Sequence, residues 1–186
     1  MPEEMVTPLM RSRAKAVNFG IVYGIGAFSL SQDIGVSRRE AEEYINQYLA
    51  LYSGVRDYME NVVENARETG YVQTLFGRRR YLPELSSSNF NMRAFGERVA
   101  RNMPIQGTAA DIIKIAMVRV QQRLEKENRR ARLILQVHDE LIVEAPQEEA
   151  DEIARLLKEE MEGAVSLSVP MVADAHVGKT WYDAKG

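Results

Sequence analysis

At 186 residues the chain is long enough for one ordinary domain, or a substantial part of a larger one, with a core of its own. It has no cysteine, which excludes disulfides and thiolate metal sites; it also lacks an apolar run near the ~18 residues of a membrane span and the basic and apolar start of a signal peptide, so a soluble cytoplasmic protein with no membrane partner is expected. The net charge of −3 conceals an asymmetry: residues 140–186 hold 11 acidic and 4 basic side chains and residues 1–139 hold 16 acidic and 20 basic, which fits a polyanion partner for the basic part, or merely a solvated acidic helix face over 148–162.

Thr7-Pro8 makes a good helix start, because the Thr hydroxyl can cap free N–H groups and a proline at the first helical position forfeits no hydrogen bond. The helix is expected over 8–24, with Tyr23 near its end and Gly24 and Gly26 stopping it. Along it Arg11, Lys15, Phe19 and Tyr23 fall at four-residue intervals. Each such step advances about 400° on an α-helix, so the four lie within about 120° of one another and two cations share a face with two rings. An apolar stripe at this spacing is ordinary packing. A cation pair followed by rings suits an anion carrying a flat group, the shape of a nucleoside triphosphate. A surface helix with solvated cations and a buried Phe and Tyr fits the spacing equally well.

Ser37-Arg38-Arg39-Glu40 reads as a capping box, and the helix it opens puts Tyr44, Ile45, Tyr48, Leu49 and Tyr52 on one stripe. Gly54 is expected to break it, and the next helix turns Val55, Tyr58, Met59, Val62 and Val63 inward before stopping at Gly70. Residues 71–76 are extended in character and lead into Gly77-Arg78-Arg79-Arg80-Tyr81. Three adjacent arginines face either solvent or phosphate, for which the planar Arg fork donates two parallel bonds. Ser86 to Asn89 is a loop and helix cap. A long helix is expected over 91–127, with Pro104 bending or interrupting it near Asn102. Asn102 and Gln106 would flank that corner; each is donor and acceptor at once, which suits base edges and equally suits satisfying a broken helix.

Residues 132–145 read as two short strands around Gln136-Val137-His138-Asp139-Glu140. Pro146 opens a helix to Gly163 with Ile153, Leu156, Leu157 and Met161 inside, and a third strand near 169–176 completes a small antiparallel sheet. The fold class is therefore α+β and mostly helical. Carboxylates at a sheet end are costly unless a cation, hydrogen bonds or water compensates them, and such oxygen donors suit Mg²⁺ or Mn²⁺; a polar surface turn is the alternative. If extended geometry holds through both, Asp139 and Glu140 point to opposite faces and do not share an ion. Two ions about 4 Å apart need a further carboxylate, and neither Asp111, within a helix among apolar residues, nor Asp33 has a context that recommends it.

Taken together these pieces resemble the bacterial DNA polymerase I type, family A, of DNA-directed DNA polymerases. The resemblance rests on Arg11, Lys15, Phe19-Gly20 and Tyr23-Gly24; on Phe76 to Glu84; on Asn102-Met-Pro-Ile-Gln106-Gly-Thr-Ala-Ala-Asp111; and on His138-Asp139-Glu140, in that order and over nearly the whole chain. It implies a helical fingers segment over 1–70 and a palm portion over 71–186, together one incomplete polymerase domain. It implies that Arg11 and Lys15 hold the triphosphate of a dNTP, with Lys15 adding catalytic positive charge, that Phe19 stacks near base and sugar and goes with rejection of dideoxynucleotides, and that Tyr23 stacks against the template. Asp139 would be a catalytic Mg²⁺ ligand supported by Glu140. His138, Gln106 and Asn102 would touch primer–template DNA near the primer end, and Arg98, Arg78, Arg79 and Arg80 its template or phosphates.

Family members carry an earlier Asp in a palm strand some tens of residues before the first helix, and only ten residues precede Arg11. The resemblance therefore implies a fragment whose partners include missing N-terminal polymerase segments. The complete site would hold two Mg²⁺ ions, the second Asp ligand would be absent from this chain, and the isolated chain is expected to be inactive. A non-catalytic module binding nucleotide or primer–template is the alternative, and a metal-dependent phosphohydrolase using His138 and Asp139 is a third reading.

Overall fold

The structure is a computed structural model and describes residues 2–185. Its contacts divide the chain into two compact units, Met1–Gly107 and Thr108–Gly186.

In the first unit, α1 (Pro8–Val22) starts as its sequence dictates: Thr7 Oγ1 accepts the Met10 N–H at 3.2 Å and Pro8 occupies the first turn. It is followed by α2 (Ala27–Ile34) and α3 (Arg38–Leu51), where Ser37 and Glu40 form the reciprocal capping box. Leu30, Ile34 and Ala41 make the core between these helices, with Ala16, Val17, Ile25 and Ile45 packed against it. Along the stripe Ile45 packs on this core and Tyr48 and Leu49 are half-buried, whereas Tyr44 and Tyr52 are 48% and 50% exposed. Ala41 is the buried residue of α3 instead, its small side chain letting the helix lie close to α2.

α4 (Ser53–Thr69) begins one residue before Gly54, so the break falls at Tyr52. Gly54 is accommodated in the first turn, where N–H groups have no partner within the helix in any case. The helix ends at Gly70 in the left-handed conformation, φ 80°. The extended character expected over 71–76 holds for its first three residues, which pair in a hairpin that was not expected, β1 (Tyr71–Gln73) antiparallel to β2 (Arg79–Tyr81) with Val72 opposite Arg80. Strands of three residues, one of them wholly exposed, carry too little alternation to be read. Thr74 anchors the connection: its hydroxyl accepts the Phe76 and Arg78 N–H groups at 3.2 Å each.

α5 (Phe90–Lys126) begins in the first unit, capped by Asn89, whose Oδ1 accepts the Asn91 N–H at 2.8 Å. The expected interruption near Asn102 is absent: the helix runs unbroken for 37 residues with Pro104 inside it. One forfeited backbone bond is a small fraction of the bonds and packing that hold a helix of this length. A Cβ at Gly107 would meet Thr74 Cγ2 at 2.7 Å, so glycine there is what lets α5 approach the hairpin. Val63, Ala66, Val72, Leu82, Leu85 and Ala100 form the core of this region.

In the second unit the end of α5 packs with β3 (Arg132–Val137), β4 (Glu140–Glu144) and α6 (Ala150–Glu162) around Ala116, Val120, Leu124, Ala131, Leu141, Ile153 and Leu156. The inner face expected for α6 is the observed one. The third strand near 169–176 is not formed, and the sheet has two strands among the described residues. Val169 and Val172 are 61% and 73% exposed, and the Ala173 N–H donates to a Glu162 carboxylate oxygen at 3.1 Å, not to a neighbouring strand. A short helix, α7 (Trp181–Ala184), capped by Thr180, closes the chain. No helix among the described residues is long and apolar enough to cross a membrane.

Candidate nucleotide and nucleic-acid interface

The inward face of α1 is set by Ile21, which is buried, and by Ala16 and Val17, packed on the core with α2 and α3. That leaves Arg11, Lys15, Phe19 and Tyr23 on the outward face, all exposed. Phe19 and Tyr23 stack with centroids 6.2 Å apart and planes 20° from parallel, and Lys15 Nζ lies 5.8 Å from the Phe19 centroid. At 47% and 43% exposure, the two rings are not the buried pair of an ordinary surface helix. The helix holds Arg11, Arg13 and Lys15 and no carboxylate, and among the described residues neither Arg11 nor Lys15 is ion-paired. What α1 presents is a run of positive charge continuing into an aromatic shelf, which can hold an anion and a flat ring system together.

A cleft of about 580 Å³ opens at the end of that shelf, within the first unit. Tyr23 supplies one wall, Arg80 enters from β2, and α5 contributes Phe95, Arg98, Asn102 and Gln106, with Gly107 at the end. The α5 residues fall three and four apart, so one face of the helix carries them all. The Asn102 Oδ1 atom is buried and has no hydrogen-bond partner. A buried acceptor of this kind is costly to leave unmet.

Five residues singled out in the sequence, Tyr23, Arg80, Arg98, Asn102 and Gln106, thus share one cleft although they lie as far apart as positions 23 and 106. The arginine triplet divides. Arg80 lines the cleft, Arg79 stacks on the Tyr71 ring at 4.4 Å, and Arg78 is exposed with its backbone N–H and C=O tied to Thr74. Phe95 was missed from sequence, although its spacing to Arg98, Asn102 and Gln106 on α5 marks the same face.

In the second unit His138 and Asp139 make the two-residue turn between β3 and β4, with Val137 opposite Glu140. His138 takes φ 53°, and its carbonyl accepts the Gln136 side-chain N–H at 2.6 Å. Asp139 therefore sits in the turn and not in a strand, and the opposite-faces rule for strand neighbours does not govern it. His138, Asp139 and Glu140 are all exposed. Two hard oxygen donors at an exposed turn fit Mg²⁺ as part of a shell completed by phosphates and water. Among the described residues no three His, Cys, Asp or Glu side chains gather as a metal group.

The family model described as DNA polymerase family A matches residues 1–183. Over 183 residues the chain is 58% identical to DNA polymerase I of Bacillus caldotenax and 54% identical to DNA polymerase I of Bacillus subtilis (strain 168), covering 98% of this chain and 21% of each relative. The chain thus spans about a fifth of the length of these curated relatives. Among solved structures, the POL domain of Pol1 from M. smegmatis, in complex with DNA primer–template and dNTP, superposes with a TM-score of 0.95 at 45% identity, over 100% of this chain and 33% of that one. With a family match over nearly its whole length and these identities, the chain belongs to DNA polymerase family A.

Proposed function

We propose that the chain forms part of a DNA-directed DNA polymerase that extends a primer by Mg²⁺-dependent nucleotidyl transfer from dNTPs. The observation that carries this reading is the outward face of α1, where two cations unpaired with any described carboxylate continue into two stacked, exposed rings. Arg11 and Lys15 grip the triphosphate. Lys15 opposes the negative charge that moves onto the leaving pyrophosphate as a primer 3′-hydroxyl attacks the α-phosphate. Phe19 lies beside base and sugar, in the position that goes with rejection of dideoxynucleotides, and Tyr23 stacks on the template at the mouth of the cleft.

Within the cleft, Asn102 and Gln106 meet minor-groove acceptors, which occur in every base pair and so report pairing shape and not sequence. Arg98 and the Arg78 to Arg80 turn take the template strand and its phosphates, and His138 touches the primer end. Residues 1–70 serve as fingers helices and 71–186 as palm. Asp139 would hold Mg²⁺ with Glu140 in support, and the bound ion would neutralise phosphate charge and activate the 3′-oxygen. The chain spans about a fifth of the length of its curated relatives, and the 186 residues alone are proposed to be inactive and to need further polymerase segments.

The test places residues 1–183 in the matching segment of Bacillus caldotenax DNA polymerase I and measures primer extension. Extension by the chimera, with none by the 186-residue chain alone, is expected. A chimera that binds primer–template without extending it would favour a non-catalytic binding module, and Mg²⁺-dependent extension by the chain alone would overturn the inactivity proposal.

A further inference from the structure

Arg101 is absent from every role above, yet it sits at the seam between the two walls of the cleft. Its guanidinium lies over Gly24, where an added Cβ would meet Nη1 at 3.5 Å and Cδ at 3.7 Å. Gly24 directly follows Tyr23, which supplies one wall, and Arg101 directly precedes Asn102, which supplies the other. The guanidinium thus lies beside the backbone one residue behind each cleft-lining side chain. Gly24 holds φ 78°, a conformation that other residues seldom adopt, so the chain reverses sharply beneath the guanidinium. The end of α1 also carries the partial negative charge of its last carbonyls, which a cation complements.

Arg101 is itself braced. Nη2 reaches Glu97 Oε2 at 3.4 Å, and Glu97 Oε1 accepts from Arg67 Nη2 on α4 at 2.6 Å. The Arg101 carbonyl accepts the Tyr58 hydroxyl, also on α4, at 3.1 Å. The side chain is 23% exposed, and its buried Nε has no hydrogen-bond partner. A guanidinium kept from water with a donor unmet is an unusual choice for plain packing, where an aliphatic side chain would fill the space at lower cost. The brace runs from α4 through Glu97 to Arg101, whose guanidinium lies beside Gly24 just past the end of α1, and so it lies between helices of two different hydrophobic clusters.

We propose that Arg101 is a positioning residue: its guanidinium holds the Tyr23–Gly24 end of α1 against α5 and so sets the width of the cleft and the placement of the nucleotide grip. The inference rests on the polymerase reading for its functional consequence, and on the geometry alone for its structural one.

Two measurements separate these. Hydrogen exchange on the 186-residue chain reads the tether directly: Arg101→Met, which keeps the apolar stem, is expected to speed exchange of the Tyr23 to Ile25 amides about tenfold while α6 is unchanged. Arg101→Lys, which keeps the charge, is expected to recover part of the protection. In the chimera with the Bacillus caldotenax polymerase, Arg101→Met is expected to raise KM for dNTP about tenfold with kcat within about threefold, and Arg101→Lys to restore part of the affinity. Uniform loss of protection across the first unit, or kcat and KM unchanged in an extending chimera, would overturn the inference and leave the polymerase reading standing. A chimera that does not extend primers would instead overturn the polymerase reading, and the exchange measurement would still decide the tether.

Discussion

Helix α1 and the region around α5 and α6 in the second unit use cationic side chains in opposite ways. On α1, Arg11, Arg13 and Lys15 share a helix with no carboxylate, and Lys15 lies over the face of Phe19. Around α5 and α6 in the second unit, four arginines are answered. Arg119 meets Glu160 at 2.8 Å; Arg123 meets Glu127, Glu159 and Glu160 at 2.9, 2.6 and 3.1 Å; Arg129 meets Glu127 and Glu152; Arg130 meets Glu148 and Glu149. Counting cations therefore says little about binding. The local supply of carboxylates decides whether a cation is available to a ligand or already occupied by the fold.

The sharpest way to break this contrast is to supply α1 with the charge it lacks. Lys15→Glu in the chimera places a carboxylate where phosphate charge would lie, and is expected to lower kcat/KM by a factor on the order of 10³. The same reversal at Arg130, already paired with Glu148 and Glu149, is expected to leave kcat/KM within about twofold, because that group faces no ligand in the proposed function. Steady-state primer extension measures both. Equal losses at the two positions would mean that overall charge, and not the vacant α1 face, governs activity.

What could be read from sequence follows the same division between local and distant causes. The starts of α1, α3 and α5 were legible because Thr7, Ser37 and Asn89 act on backbone groups two or three residues away. The α1 ladder was legible for a similar reason, since one helix carries all four residues, and the hairpin at His138 stood out between two apolar runs. The strand expected near 169–176 failed because a strand needs a neighbour, and periodicity in one segment cannot supply it. The β1–β2 hairpin was too short and too exposed to show a period. The stripe of α3 had helical spacing, but which of its members reach the core, Ile45 beside Ala41 and not Tyr44, is decided by the approach of α2. The cleft was visible only as separate residues; its assembly from α1, β2 and α5 is a tertiary fact.

On the second unit the contrast predicts a smaller effect of a different kind. Arg123 is held as a cation, its pKa raised chiefly by the hydrogen bond to Glu127 and then by that to Glu159. Its side chain is still about one-third exposed, 32%, so the pairs are screened by water. Arg123→Ala is expected to cost about 1 kcal/mol of stability, the upper end for exposed ion pairs, read as a lower denaturant midpoint of the chain. Extension by the chimera is expected to stay within about twofold. A large loss of activity without loss of stability would place Arg123 among the ligand-binding cations and erase the distinction.

The subtlest test uses protons in place of a substitution. Hydrogen bonds from Arg123 and then Arg129 hold the Glu127 carboxyl below its usual 4.5, and the Glu148 carboxyl is lowered first by its own backbone N–H and then by Arg130. A carboxylate whose pKa is depressed on folding contributes stability that is present above its unfolded value and is lost as pH falls through the folded one. The denaturant midpoint of the chain is therefore expected to fall as pH drops below about 4.5. In Arg123→Ala that slope is expected to flatten, since Glu127 has lost its main partner and begins to protonate nearer its unfolded value. Glu40, lowered by the Ser37 hydroxyl at the start of α3, titrates in the same range but is untouched by the variant, so it provides a common background. An acid slope identical in the two proteins would show that the second unit's ion pairs do not respond to loss of a partner, and that its arginines are no more committed than those of α1.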